Sequence, residues 1–297
     1  MLIKYKNPSS YLVLIDWIGI SKKYFYMLFI SMDLSVSPNI KFSYDIVKGS
    51  VEDRRRFAER LNEQIYEKIE PHIKNNELSV DVFEKSLKET IPEQKRIDII
   101  PFESDEEDVE GCSDMIEADD GTLIGQTIEI PMKDGKISTE NLDTVFHECR
   151  HVLDNLCNPK CSARVNKMTI DRSGGRAYNN LLDKVYHDVD DLSPKSKEKE
   201  LKNTRKAIND FLKQRPERTH VDCLQDLRHC METERNAFSD EVKVREKMYE
   251  KNIKFSDDEP YDDAPFFMFD EKIELIKDMT AEIIAKQRRE HKLSLEG

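Results

Sequence analysis

Two hydrophobic periods divide the chain, the first two residues long and the second nearly four. Residues 11–48 carry three runs rich in aromatic and β-branched side chains, YLVLIDWI, YFYMLFISM and IKFSYDIV, broken by turn-like residues at 19–23 and 35–39. This predicts a small antiparallel sheet. Helical spacing takes over in 51–74 and 80–91, where Phe57, Leu61, Ile65 and Ile69 recur four residues apart. RIDIIPF and QTIEIPM predict two more strands, and the acidic run SDEEDVEG between them reads as a solvated loop. From Thr139 the pattern is mostly helical. Thr139 is the expected N-cap, Leu142, Val145, Phe146, Leu153 and Leu156 supply an apolar stripe, and Asn158-Pro159 ends it. Beyond Gly174-Gly175, helices are expected near 177–187, 194–214, 221–250 and 270–292. The acidic segment FSDDEPYDDAPFF sets the last apart as a flap, an add-on or a partner-binding element.

Composition narrows the classes open to this chain. At 297 residues it is long enough to fill a sizeable core. Sixty acidic against 47 basic side chains give a net charge of −13, which disfavours nonspecific binding to nucleic acid or anionic membrane. Asp16, Lys22 and Lys23 break the apolar N-terminal stretch into runs too short to span a bilayer, so no stable membrane insertion is expected. No small-residue cleavage site follows MLIKYKNPSSYLVLIDWIG, and a soluble chain is expected, cytoplasmic or exported by a leaderless route. The six cysteines show no repeating spacing and read as free thiols.

Chemistry concentrates at His147-Glu148-Cys149-Arg150-His151, an H-E-x-x-H inside the helix expected from Thr139. Positions four apart lie one turn above each other, so both imidazoles can reach a single ion while Glu148 addresses a water bound to it. Two stacked histidines can also be ordinary helix residues. A catalytic zinc usually takes three protein ligands and a water, so a third ligand is required.

The helix expected at 221–250 supplies candidates. At 100° per residue, Leu227, Met231, Glu234, Phe238 and Glu241 or Val242 share one stripe, whereas Glu232 shares its side with Gln225, His229, Asn236 and Ser239. Glu234 is therefore an acid on an apolar face, and burying a carboxylate is costly unless a cation or a salt-bridged arginine accompanies it. Zinc held by His147 and His151 provides that cation, and Ala237 lets the two helices approach closely. Glu232 lies about 200° away around the helix, so the two glutamates cannot both face the same ion. Glu232, Glu241, Cys157 and His229 stay open as other third ligands.

These residues, HECRH at 147–151 and ETERNAFSDE at 232–241, resemble the zincin metallopeptidases, specifically the gluzincin-like group completed by a glutamate on a later helix. The resemblance implies an α+β fold in which a small mixed or antiparallel sheet packs on the HExxH helix and a mainly helical lobe follows. It implies a catalytic domain at 95–252, a supporting or substrate-recognising segment at 1–94, and an acidic linker with a C-terminal helix at 253–297. It also implies Zn2+ held by His147, His151 and Glu234, with Glu148 as general base in hydrolysis of a protein or peptide substrate. The group commonly places an acid four positions past the ligand glutamate; here that position is Phe238, so Asp143 or Asp240 is the candidate to orient a histidine. Compact zincins also occur among bacterial toxins and injected effectors.

An oxyanion donor is needed too. Tyr178, Tyr186, Arg176, His187 and His220 are chemically able, and Tyr178 is the leading candidate. The run Gly125 to Met132 is the expected edge strand for an extended substrate. The alternatives are a noncatalytic binding module whose structural metal is completed by Cys157, Cys161, Cys223 or Cys230, and a zincin-like hydrolase or regulator acting on a non-protein substrate.

Overall fold

Ser50 opens the first helix with a capping box: its hydroxyl accepts the Asp53 N–H at 3.2 Å, and the Asp53 carboxylate accepts the Ser50 N–H at 2.9 Å. The structure, a computed structural model, describes residues 50–91, 97–103, 111–117, 123–158, 165, 175–253 and 264–296. The three strands expected in 11–48, nearly all of the acidic loop before Gly111 and most of the 255–267 linker lie outside these residues.

Helix α1 (Val51–Ile69) buries Leu61, Ile65 and Ile69 of the expected stripe and adds Ala58 and Tyr66, while Phe57 is only partly buried. Strand β1 (Glu77–Ser79) leads into α2 (Val80–Thr90). Strands β2 (Ile97–Glu103), β3 (Cys112–Glu117) and β4 (Leu123–Met132) form a mixed sheet in the order β2-β4-β3, with β4 parallel to β2 and antiparallel to β3. Asp134 and Gly135, both at positive φ, turn the chain from β4 into β5 (Lys136–Ser138); an Asp-Gly pair suits a two-residue turn that needs positive φ at both positions. Strand β5 pairs antiparallel with β1. Helix α3 (Leu142–Cys157) follows a 3-10 turn at Thr139–Asn141, whose cap is Ser138 rather than Thr139. Helices α4 (Gly175–Val185), α5 (Pro194–Leu212) and α6 (His220–Glu250), a single turn at Ala264–Phe267, and α7 (Phe269–Glu296) complete the described chain. This is an α+β architecture, with the small sheet packed against helices: Gln126 on β4 donates to the Val152 carbonyl of α3 at 3.0 Å.

The described residues form two apolar cores. The first joins α1, α2, the sheet, α3 and the end of α6, with Phe146 meeting Tyr66 and Phe83 edge-on at 5.7 and 6.1 Å. The second joins α4, α5, the start of α6 and α7. Helix α6 serves both, giving Leu224, Leu227 and Met231 to one and Val244 and Met248 to the other.

Residues 51–91 share a core with the HExxH helix. The last helix is no detached flap: Phe269, Ile273, Ile276 and Met279 lie in the second core, and the fully buried Lys272 ammonium donates to the carbonyls of Val185 and His187 at 2.8 and 2.6 Å. Strand β4, expected at an edge, is central, because a parallel neighbour, β2, and an antiparallel one, β3, occupy its two sides. Among the described residues no helix is long and apolar enough to cross a membrane.

Candidate metal centre

Helices α3 and α6 face each other through a ladder of polar pairs. Asp143 meets Arg245 at 2.6 Å, His147 meets Glu241 at 2.9 Å and Arg150 meets Asp240 at 2.8 Å. Partner numbers fall along α6 as they rise along α3, so the helices run antiparallel. Asn62 ties α1 to this pair, donating to Asp240 Oδ2 and to the Phe146 carbonyl at 2.9 and 3.1 Å.

The ladder brings His147, His151 and Glu234 together. The two Nε2 atoms are 3.2 Å apart, and Glu234 Oε2 lies 3.6 Å from His147 Nε2 and 3.4 Å from His151 Nε2. Ligand bonds of 2.0–2.1 Å meeting at a tetrahedral angle separate their donor atoms by about 3.3 Å, so this triangle fits a zinc-sized ion. Among the described residues it is the one group of three or more His, Cys, Asp or Glu side chains with ligand atoms within 4.8 Å of one another. Glu234 leaves 28% of its side-chain surface open, enough for an ion to arrive from solvent. Burial opposes charge on His147, yet hydrogen bonds to Glu234 and Glu241 push its pKa up to about 10. Burial likewise opposes charge on Glu234, but the His151 and His147 rings hold its carboxyl well below the usual range.

Glu241 orients the site. When the His147 ring is neutral, as a metal ligand must be, donating its Nδ1 proton to Glu241 leaves the Nε2 lone pair turned toward His151 and Glu234. Asp143 and Asp240, expected in this role, instead engage Arg245 and the Arg150–Asn62 pair. Phe238 stands edge-on to the His147 ring at 4.9 Å and packs on Phe267 and Phe269, making an aromatic wall. Glu232 is occupied elsewhere: it is buried and bonded to Arg55, with Arg228 at 3.5 Å. The arginine salt bridge weighed for Glu234 thus belongs to Glu232. Cys149, Cys157, Cys223 and Cys230 are buried free thiols and Cys112 a partly buried one, all outside the cluster; Cys161 lies outside the described residues.

Glu148 sits beside the cluster, close to the chain that enters β3. A Cβ on Gly111 would lie 2.8 Å from the Glu129 carbonyl and 3.6 Å from Glu148 Cγ. Glycine here lets the chain enter β3 close against both β4 and Glu148. Strand β3, missed in the sequence, is an edge strand among the described residues and starts beside Glu148. Of the candidate oxyanion donors, Tyr178 is fully buried in the second core with its hydroxyl 3.3 Å from Cys230 Sγ. Tyr186 is partly buried; burial raises its pKa, and the charge of Glu234 acts on it as well. His220 donates to the Arg215 carbonyl at 3.0 Å, and Arg176 and His187 are exposed.

No family model, no curated protein and no solved structure matches this chain. The chemistry of the site must therefore speak for itself, and it is that of a His-His-Glu cluster able to bind a divalent metal ion.

Proposed function

We propose that the protein is a zinc-dependent endopeptidase of the zincin type, with His147, His151 and Glu234 as ligands. Two imidazole nitrogens and one carboxylate oxygen at tetrahedral spacing suit zinc, and among the described residues no fourth protein ligand joins them to close the site. That open position is the observation that carries the reading, since a structural zinc is normally closed by four protein ligands. When bound, the ion acidifies water and polarises a carbonyl. Glu148 takes the proton of the attacking water and returns it to the departing amine. An extended peptide lies along β3, where backbone groups of the edge strand bind main chain beside Glu148. Tyr186, partly exposed and within reach of the Glu234 charge, is proposed in place of the fully buried Tyr178 as donor to the substrate oxygen.

The experiment is hydrolysis of an unstructured protein substrate by zinc-loaded wild type and Glu148→Gln. The variant is expected to keep its zinc and its melting temperature and to lose cleavage. Equal turnover in both proteins removes Glu148 as the base. A wild type that binds zinc tightly without cleaving any of a broad peptide set favours the noncatalytic alternative.

A further inference from the structure

Resting on the metal-site reading above, we infer that Arg245 is a positioning residue for the zinc ligand His147. Its guanidinium spans two carboxylates. Nε donates to Asp143 Oδ2 at 2.6 Å, and Nη2 donates to Glu241 Oε1. The other oxygen of that glutamate, Oε2, accepts from His147 Nδ1 at 2.9 Å. One carboxylate is thus held at both ends, by the arginine on one oxygen and by the imidazole on the other.

The chain also closes on itself. Asp143 and His147 are one turn apart on α3, and Glu241 and Arg245 are one turn apart on α6. The four side chains form two rungs between antiparallel helices, so the ring plane of His147 is fixed by both backbones at once. A glutamate side chain has several rotatable bonds, and without the guanidinium on Oε1 nothing in this ladder aims Oε2 at Nδ1. The planar fork of arginine engages two acids in one plane, which a lysine ammonium does not reproduce. Burial raises the stakes: Asp143 and Glu241 are both under a tenth exposed, and Arg245 is the cation they share.

The test measures zinc affinity by chelator competition for full-length wild type, Arg245→Met, Arg245→Lys and Glu241→Gln, with thermal melts and the absorption spectrum of the cobalt-substituted proteins. Loss of a partner that orients a ligand histidine lowers metal affinity by about 10–100-fold, the loss expected for R245M and E241Q. R245K is expected to fall between R245M and wild type, and all three are expected to alter the cobalt spectrum. A folded R245M or R245K with wild-type zinc affinity and an unaltered cobalt spectrum, whatever its melting temperature, overturns the positioning role. If R245M does not fold, the comparison of R245K with wild type decides. A wild type that binds no zinc overturns the metal site itself, an outcome distinct from loss of the Arg245 effect alone.

Discussion

Ala237 lies on α6 between Glu234 and Glu241, and enlarging it tests whether helix spacing sets the site. It has no exposed surface, and the register fixed by Asp143–Arg245 and His147–Glu241 places it opposite His151. Ala237→Leu inserts an isobutyl group where there is no room, an overpacking that costs about 1–3 kcal/mol. For a chain of this size that lowers the melting temperature by about 2–4 °C per kcal/mol. Contact side chains move helix axes over a range of about 8–10 Å, so the larger residue is worth about 1 Å of separation. Glu234 Oε2 now stands 3.4 and 3.6 Å from the imidazoles. Another ångström takes both to about 4.5 Å, well beyond the separation of about 3.3 Å between two ligands of one zinc ion. Chelator competition should therefore show at least tenfold weaker zinc binding. Ala237→Gly is the control: it loses about 1 kcal/mol of helix propensity and keeps the spacing, so its zinc affinity stays near wild type. An A237L protein that melts lower yet binds zinc like wild type would refute the link between helix spacing and the metal.

The two glutamates of the ETER segment should separate cleanly. Glu234→Ala abolishes zinc binding while the protein stays folded. Glu232→Ala strands the buried Arg55 and costs about 3–5 kcal/mol of stability, while the folded fraction still binds zinc; equal metal loss in both variants contradicts the assignment. A pH dependence follows from Glu59, which receives a hydrogen bond from Lys243 that holds its carboxyl below the ordinary 4.5. The contribution of this pair is present above that value and disappears as pH falls through the lower folded one. Because the pair is partly exposed, screening limits it to about 0.5 kcal/mol. The melting difference between wild type and Glu59→Gln should be positive at pH 7 and vanish in strong acid; a gap of equal size at both extremes contradicts it.

What the sequence shows and what it hides differ by range. The HExxH helix and Glu234 are legible because helical spacing places each on a face, and an acid on an apolar face needs a cation. The stop before Pro159 is equally local. Strand β3 escapes notice because Cys112–Glu117 carries two acids and follows an acidic run, so its alternation is weak. Strand order is invisible for another reason: a parallel β2–β4 pairing leaves no mark on either strand. The role of Glu241 and the Arg55 partner of Glu232 depend on residues 94 and 177 positions away, and no local pattern carries that information.

The dual service of α6 bears on how the chain is made. Its C-terminal half supplies Val244 and Met248 to a core otherwise built from residues 58–157, so that core stays incomplete until synthesis has passed α6. The histidines are translated long before the glutamate that completes their site, and closing so long a loop is slow. A nascent chain or a fragment ending ahead of His220 therefore holds two of the three ligands and lacks a finished interior. On the proposed function, metal capture is withheld until α6 has been made.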